Sequence, residues 1–142
     1  MERLRIKSPS ECLPLLRRYK NKAQEHFGII ALDYAHNVIT TKLLFIGGVT
    51  NTIVDNKPIS WAIAKSKAVA LILWHNHPSG SLLPSEPDYD TTNRVNRLCA
   101  IMGVQLLDHI IIGKHTDDYF SFRVHDYDFE KNVKELLMSL DN

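Results

Sequence analysis

A short apolar run followed at once by histidines and a proline is the feature that most restricts the fold of this chain. Residues 68–74 are all apolar and include β-branched side chains, and His75, His77, Pro78 and Gly80 come after them. An apolar run of this length predicts a strand covered on both faces by other elements. Proline cannot donate to a sheet ladder and glycine weakens it, so we expect the strand to end at the histidines.

The two histidines and a later aspartate form a set that can bind a metal ion. Side chains two residues apart on a strand point to the same face, so His75 and His77 can reach one ion from the end of the strand. Zinc in hydrolytic enzymes usually takes three nitrogen or oxygen ligands from the protein and keeps a fourth position for water. His75, His77 and Asp88 supply such a set, which predicts a catalytic zinc centre.

Ser85 and Asp88 also fit a purely structural interpretation. A serine followed three residues later by an acidic residue, ahead of a helical pattern, is typical of a capping box, and Pro87 suits the first helical turn. Capping alone would explain both residues without a metal ion. The two interpretations are compatible, because a helix that begins here holds Asp88 in one orientation near the end of the strand.

The complete spacing resembles that of a known family. His-x-His, seven residues, Ser, two residues and Asp is similar to the signature of the JAMM (JAB or MPN+) metallopeptidases, and residues 75–80 with Ser85 and Asp88 resemble the RadC branch. Further segments resemble core strands of that family: residues 25–33, 106–113 and 119–122. The resemblance implies an α/β fold, a mixed β-sheet with flanking helices of the JAB1/MPN type, which is similar to that of cytidine deaminase.

The resemblance also implies roles for two further residues. Glu25 matches an upstream glutamate that takes a proton from the attacking water and passes it to the leaving amine, and Ser85 matches a hydroxyl that stabilises the oxyanion. The implied activity is zinc-dependent hydrolysis of a peptide or isopeptide bond, with a peptide, a protein or a ubiquitin-like conjugate as substrate. Without the resemblance, Glu25 would be a solvated charge at a strand start, and Glu11 and Glu86 are weaker candidates for the same role.

Two other functions stay open from the sequence. One is a DNA-associated accessory protein, since RadC relatives carry a DNA-repair label, and the other is a non-catalytic MPN interaction scaffold. The net charge of +1 gives no electrostatic footprint for nucleic acid, and a helix end explains the basic residues within 16–22. RadC-type proteins often carry a helix-hairpin-helix segment first, which we expect to be absent. The sequence leaves the oligomeric state open.

Length and composition predict one domain over residues 1–142, with its core at about 20–123. Hydrophobic residues make up 44% of the chain and charged residues 23%, and no apolar run approaches the roughly twenty residues of a membrane helix. The start of the chain lacks the apolar region of a signal peptide, which predicts a cytoplasmic protein with no membrane contact. Cys12 and Cys99 are expected to be reduced core residues.

The pattern of the whole chain gives an outline of its elements. A helix is predicted at about 9–20, another from Pro58, a third after Ser85 and an amphipathic one at about 128–140. Besides the buried strand, the predicted strands are 26–33, 38–47, 104–113 and 118–123. The loops at 47–57 and 78–84 flank the predicted zinc centre and are natural places for gating or substrate recognition.

Residues around the predicted centre have weaker assignments. Asp108 or His109 could orient a metal ligand, although burial in a strand is the expected explanation for both. Thr92 lies one helical turn after Asp88 and either supports the centre or packs on the helix surface. Four other histidines are expected to be solvated: His26, His36, His115 and His125.

Overall fold

One mixed β-sheet forms the centre of the computed structural model, which describes residues 3–47 and 55–140. The strands are β1 (His26–Leu32), β2 (Val38–Ile46), β3 (Ala70–Asn76), β4 (Gln105–Ile112) and β5 (Tyr119–Ser121). Their order across the sheet is β2-β1-β3-β4-β5, in which only β3 and β4 are parallel neighbours. The predicted mixed sheet with flanking helices is therefore confirmed.

Three long helices cover the sheet. They are α2 (Asn56–Ser66), α3 (Glu86–Met102) and α4 (Phe129–Leu140). Helix α2 begins two residues before the predicted Pro58, because the side chain of Asp55 caps it by accepting a hydrogen bond from the backbone of Lys57 at 3.0 Å. Helix α3 carries the chain from β3 to β4, and such a long crossover is what a parallel strand pair requires.

The predicted helix at 9–20 is wrong as a single element. The segment consists of a 3₁₀ turn (Pro9–Cys12), a four-residue helix α1 (Leu13–Leu16) and a second 3₁₀ turn (Arg17–Tyr19). Pro14 explains the break, because a helix that started at Pro9 would need the backbone N–H that Pro14 lacks. The segment still packs well, since Cys12 and Leu16 are fully buried.

Strand β3 is buried on both faces, as the apolar run predicted. Leu71 and Leu73 face the helices α2 and α3, whereas Ile72 and Trp74 face the N-terminal segment. All seven residues of the strand are buried. The thiols of Cys12 and Cys99 lie in these two apolar layers, and burial raises the pKa of each to about 12.

A close approach between β1 and its neighbours requires glycine at position 28. A Cβ atom there would lie 2.2 Å from the carbonyl oxygen of Lys42 on β2 and 2.4 Å from Cζ2 of Trp74 on β3. Contacts this short do not occur between real atoms, so any side chain would separate the strands. Gly28 therefore allows the central part of the sheet to close tightly next to the end of β3.

Strand register brings distant parts of the chain together at one end of the sheet. In the antiparallel pair of β1 and β3, Phe27 lies opposite His75. Glu25 precedes β1 by one residue, so it lies beside the end of β3 although it is distant in sequence. The first turn of α3, which carries Asp88, meets the same edge.

Candidate metal centre

Four side chains converge at the end of β3: Glu25, His75, His77 and Asp88. One nitrogen or oxygen atom from each lies within 4.8 Å of the corresponding atoms of the other three, a group that could hold a metal ion. His75 and Asp88 are buried, and Glu25 and His77 are partly exposed. The structure thus brings together all three residues proposed as ligands and the proposed catalytic glutamate.

The distances separate three of these residues from the fourth. The Nε2 atoms of His75 and His77 are 2.9 Å apart. The Asp88 carboxylate places Oδ1 at 3.2 Å from the first imidazole and Oδ2 at 3.1 Å from the second. Oε1 of Glu25 lies farther away, at 3.7 Å from Nε2 of His75. Two imidazoles and one carboxylate therefore form a tight triangle with Glu25 at its side.

The triangle has dimensions close to those of a zinc ligand set. Ligands about 2.0–2.1 Å from a tetrahedral zinc ion lie roughly 3.3 Å from one another. The two Nε2 atoms are 2.9 Å apart, and each lies 3.1–3.2 Å from a different oxygen of the Asp88 carboxylate, so an ion needs only a small outward movement of each side chain. Two nitrogen donors and one carboxylate oxygen also match the chemistry that zinc prefers in catalytic sites.

Asp88 takes part in a capping box and in the cluster at the same time. Its backbone N–H donates to Oγ of Ser85 at 3.3 Å, and its Oδ2 accepts from the backbone N–H of Ser85 at 2.9 Å. The two interpretations of Ser85 and Asp88 therefore coexist in one structure. The cap fixes the position of the Asp88 carboxylate before any ion binds.

The surroundings keep Asp88 ionised. Burial alone would raise the pKa of its carboxyl, but the neighbouring imidazoles of His75 and His77 and the backbone N–H of Ser85 outweigh burial and hold that pKa well below its usual value. The carboxylate is therefore anionic at every physiological pH, which is the form that a cation binds.

His77 is oriented by the loop that follows β3. Its Nδ1 lies 2.8 Å from the carbonyl oxygen of Ser81, which can only accept, so Nδ1 carries a proton and Nε2 is the nitrogen that faces the cluster. Burial lowers the pKa of His77, but the hydrogen bonds with Asp88 and Ser81 and the charges of Asp88 and Glu25 outweigh burial and raise it. The loop at 78–84 thus orients His77, while residues 48–54 of the other predicted loop lie outside the described residues.

His109 contacts the candidate metal centre, whereas the sequence predicted that this residue is only buried within its strand. Its Nε2 lies 2.7 Å from Nδ1 of His75, and its Nδ1 lies 2.6 Å from Oγ1 of Thr92. Burial and the neighbouring His75 lower the pKa of His109 well below its usual value, so the ring is neutral. Asp108 points to the opposite face of the sheet, where Ser121 donates to it at 2.6 Å. Only one of the two consecutive residues faces the centre, as strand alternation requires.

Asn76 is a residue that the sequence analysis missed. It lies between His75 and His77 with its side chain on the other face of the sheet, fully buried. Its Oδ1 accepts from the backbone N–H of His26 at 2.5 Å, and its Nδ2 donates to the carbonyl oxygens of Gln24 at 3.2 Å and Lys22 at 3.4 Å. The amide thus ties down the backbone on both sides of Glu25. The one available signal was a polar residue inside a strand predicted to be buried.

The remaining histidines lie outside the cluster. The expectation that His26 is solvated is wrong, because its side chain packs against the ring of Tyr19 and it is only 8% exposed. Its Nδ1 donates to the carbonyl oxygen of Gln24 at 2.9 Å. His115 and His125 are exposed and His36 is half-buried.

The protein combines a mixed sheet and flanking helices with a His/His/Asp/Glu cluster at the end of a central strand. These features define the class of α/β domains with a JAB/MPN-type fold and a candidate metal centre. The model of one family, the RadC-like JAB domain, matches residues 6–127. The chain belongs to the RadC-like JAB domain family. JAB domains include metallohydrolases and often use zinc.

Curated relatives support the same assignment. A UPF0758 protein of Streptococcus thermophilus is 44% identical over 110 residues, which cover 78% of this chain and 47% of the relative. UPF0758 proteins of Streptococcus equi subsp. equi and Streptococcus pyogenes are 43% and 40% identical over 103 residues, which cover 72% of this chain and 45% of each relative. The chain thus spans about half the length of the curated relatives it matches. Among residues 3–47 and 55–140, no helix is long and apolar enough to cross a membrane.

Proposed function

We propose that the chain is a zinc-dependent hydrolase that cleaves a peptide or isopeptide bond. The observation that carries this proposal is the triangle of His75, His77 and Asp88 with Glu25 beside it at 3.7 Å. A structural zinc site would use four protein ligands, whereas three ligands and a nearby carboxylate are typical of a catalytic one. In this proposal His75, His77 and Asp88 bind the ion, and a zinc ion bound there would polarise the substrate carbonyl and lower the pKa of a coordinated water to about 7.

Glu25 is the proposed general base and acid. Its side chain reaches the cluster without lying in the triangle of ligand atoms, so it can take a proton from the attacking water and pass it to the leaving amine. The backbone around it is held by Asn76, which bonds the residues before and after it, and by the N–H of Gly47, which donates to the Glu25 carbonyl oxygen at 2.8 Å. These contacts support a fixed position for a group that has to reach the water.

Ser85 is the proposed donor to the oxyanion. Its Oγ accepts a hydrogen bond from the backbone N–H of Asp88, which occupies a lone pair and leaves the hydroxyl proton for another acceptor. Ser85 is also the N-cap of α3, and the start of a helix favours negative charge. A substrate carbonyl oxygen that becomes negative next to Ser85 would gain from both effects.

The proposed substrate is a peptide or protein, with a ubiquitin-like conjugate as one form. This part of the proposal depends on family membership and on the metallohydrolases that JAB domains include, together with the position of Glu25 beside the proposed ligands. A linear substrate would be cut at a peptide bond and a branched one at an isopeptide bond. A screen that contains both kinds of substrate decides which of the two the protein cleaves.

Metal content and hydrolysis test the proposal together. Elemental analysis of chelator-free protein should give about one zinc ion per chain, and His77→Ala and Asp88→Ala should lose it. Glu25→Gln should keep the zinc and lose hydrolysis in a screen of linear and isopeptide-linked substrates, since it removes the proton carrier and no ligand. A native protein that refuses added zinc would overturn the proposal, and so would a Glu25→Gln variant as active as the native protein.

A further inference from the structure

Three hydrogen bonds form a buried chain that joins two of the proposed metal ligands. Nδ1 of His75 lies 2.7 Å from Nε2 of His109, and Nδ1 of His109 lies 2.6 Å from Oγ1 of Thr92. Oγ1 of Thr92 in turn lies 2.7 Å from the backbone carbonyl oxygen of Asp88. His75, His109 and Thr92 are all fully buried, so water does not compete for these bonds. The chain begins at the side chain of one ligand and ends at the backbone of another.

The last bond of the chain fixes the direction of the others. The Asp88 carbonyl oxygen can only accept, so the hydroxyl of Thr92 donates to it and accepts from Nδ1–H of His109. A neutral imidazole has one donor and one acceptor, which leaves Nε2 of His109 to accept from Nδ1–H of His75. His75 then presents the lone pair of its Nε2 to the cluster, and this is the form that binds a metal ion.

Reversing every proton gives the competing arrangement. Thr92 would then donate to His109, His109 would donate from Nε2 to His75, and Nε2–H of His75 would donate to the Asp88 carboxylate, 3.2 Å away. A proton on Nε2 blocks that nitrogen as a ligand. The bond from Thr92 to the Asp88 carbonyl therefore favours the arrangement that leaves the cluster ready for metal.

Packing holds His109 in the orientation that the chain needs. Its ring stacks on Phe122 with the ring centres 4.7 Å apart and an angle of 11° between the planes, and Phe27 meets it edge-on at 5.7 Å. Register contributes as well, because His109 lies opposite Leu73 in the parallel pair of β3 and β4. These contacts fix the ring so that its two nitrogens face His75 and Thr92.

We infer that His109 and Thr92 are positioning residues that hold His75 in its metal-binding tautomer. The inference rests on the proposed function, since it assumes that the cluster binds zinc. Partners that orient a ligating histidine typically contribute 10–100-fold to metal affinity. Thr92 contacts no ion in this scheme and acts through its bonds to His109 and the Asp88 carbonyl oxygen, so its loss should weaken zinc binding without removing a ligand.

Matched threonine variants test the role of the hydroxyl. Thr92→Val removes it with little change in shape, Thr92→Ser keeps it, and Thr91→Val alters the neighbouring buried threonine as a control. Competition with a chromogenic chelator should show zinc affinity lower by roughly 10–100-fold in Thr92→Val and unchanged in the other two. Equal zinc affinity in Thr92→Val and Thr91→Val would overturn the inference.

Ring-nitrogen NMR of the native protein gives a second readout that needs no substitution. In the zinc-loaded chain, long-range ¹⁵N–¹H spectra should show His109 protonated at Nδ1 and not at Nε2. A proton on Nε2 of His109 with zinc bound overturns this inference and leaves the hydrolase proposal intact. Zinc binding with the expected tautomer but without hydrolysis of any peptide or isopeptide substrate overturns the hydrolase proposal alone, and a native protein that refuses zinc overturns both.

Discussion

Replacing Asn76 tests how the chain fixes the backbone around Glu25. Asn76→Ala removes three hydrogen bonds and leaves the buried N–H of His26 without its partner. An unsatisfied buried donor costs about 1–3 kcal/mol, and the two lost bonds to partly buried carbonyl oxygens add about 1 kcal/mol. We therefore expect the free energy of unfolding to fall by about 2–4 kcal/mol.

Asn96 provides a matched control for this substitution. It is also a buried asparagine, but within the described part of the chain it makes a single hydrogen bond, from Nδ2 to the carbonyl oxygen of Phe129 at 2.9 Å. Asn96→Ala should cost roughly 1 kcal/mol, because a carbonyl oxygen tolerates the loss of one partner. Urea unfolding of both variants in excess chelator compares them without any contribution from metal. An Asn76→Ala variant that is at least as stable as the Asn96→Ala variant would refute the reasoning.

Asn76→Asp adds a dependence on pH whose sign follows from the same contacts. The introduced carboxyl keeps an acceptor for His26 but faces the carbonyl oxygens of Gln24 and Lys22, so its folded pKa rises above the unfolded value of about 3.9. A raised folded pKa gives stability that is fully present below the unfolded pKa and lost as the pH rises through the folded pKa. The deficit relative to the native protein should grow from about pH 4 toward neutrality, and a deficit that is constant with pH would contradict the assignment of these bonds.

Three further outcomes follow from the site and the sheet. The pKa of His77 is raised because hydrogen bonds and charges from Asp88, Ser81 and Glu25 outweigh burial. As the pH falls, zinc affinity should therefore begin to decrease at a pH above about 6.5, the usual pKa of histidine. Calorimetry in buffers of different ionisation enthalpy should detect a proton released on zinc binding near pH 7, and no release would contradict this. Gly28→Ala should lower the free energy of unfolding by about 1–3 kcal/mol or more, because the added carbon overlaps Lys42 and Trp74, and an unchanged melting temperature would refute the close packing. Ser85→Ala should cost about 1 kcal/mol through loss of the cap. Ser85→Asp should keep the cap and lose hydrolysis, because an ionised carboxylate has no proton to donate, and full activity in Ser85→Asp would count against the oxyanion role.

Local patterns in the sequence were sufficient to predict the central sheet. The apolar run at 68–74 predicted β3 (Ala70–Asn76), which is buried on both faces, and the capping box at Ser85 begins α3. Both signals depend only on neighbours in sequence, so they can be recognised without knowledge of the fold. The prediction of one N-terminal helix at 9–20 was wrong, because Pro14 lacks the backbone N–H that a continuous helix needs.

Contacts across the sheet could not be predicted in the same way. Asn76 binds the segment before β1 and His109 meets His75 only because of the strand order and register, which no local pattern encodes. The alternation of side chains along a strand did show that Asp108 and His109 point to opposite faces of the sheet, but it could not show which of them faces the cluster. Spacing and the family resemblance placed His75, His77, Asp88 and Glu25 close together, and their roles stay predictions until metal and activity are measured.

The distance in sequence between Glu25, His75 and Asp88 affects the kinetics of folding. Their side chains meet only after β1 has paired with β3 and α3 has reached the edge of the sheet. Contacts between distant segments form only after the entropy of closing the intervening loops has been lost, so we expect the folding transition state to lack part of the ligand set. Interactions absent from the transition state slow unfolding and leave the folding rate nearly unchanged. A bound ion would therefore lengthen the lifetime of the folded chain far more than it would hasten its formation.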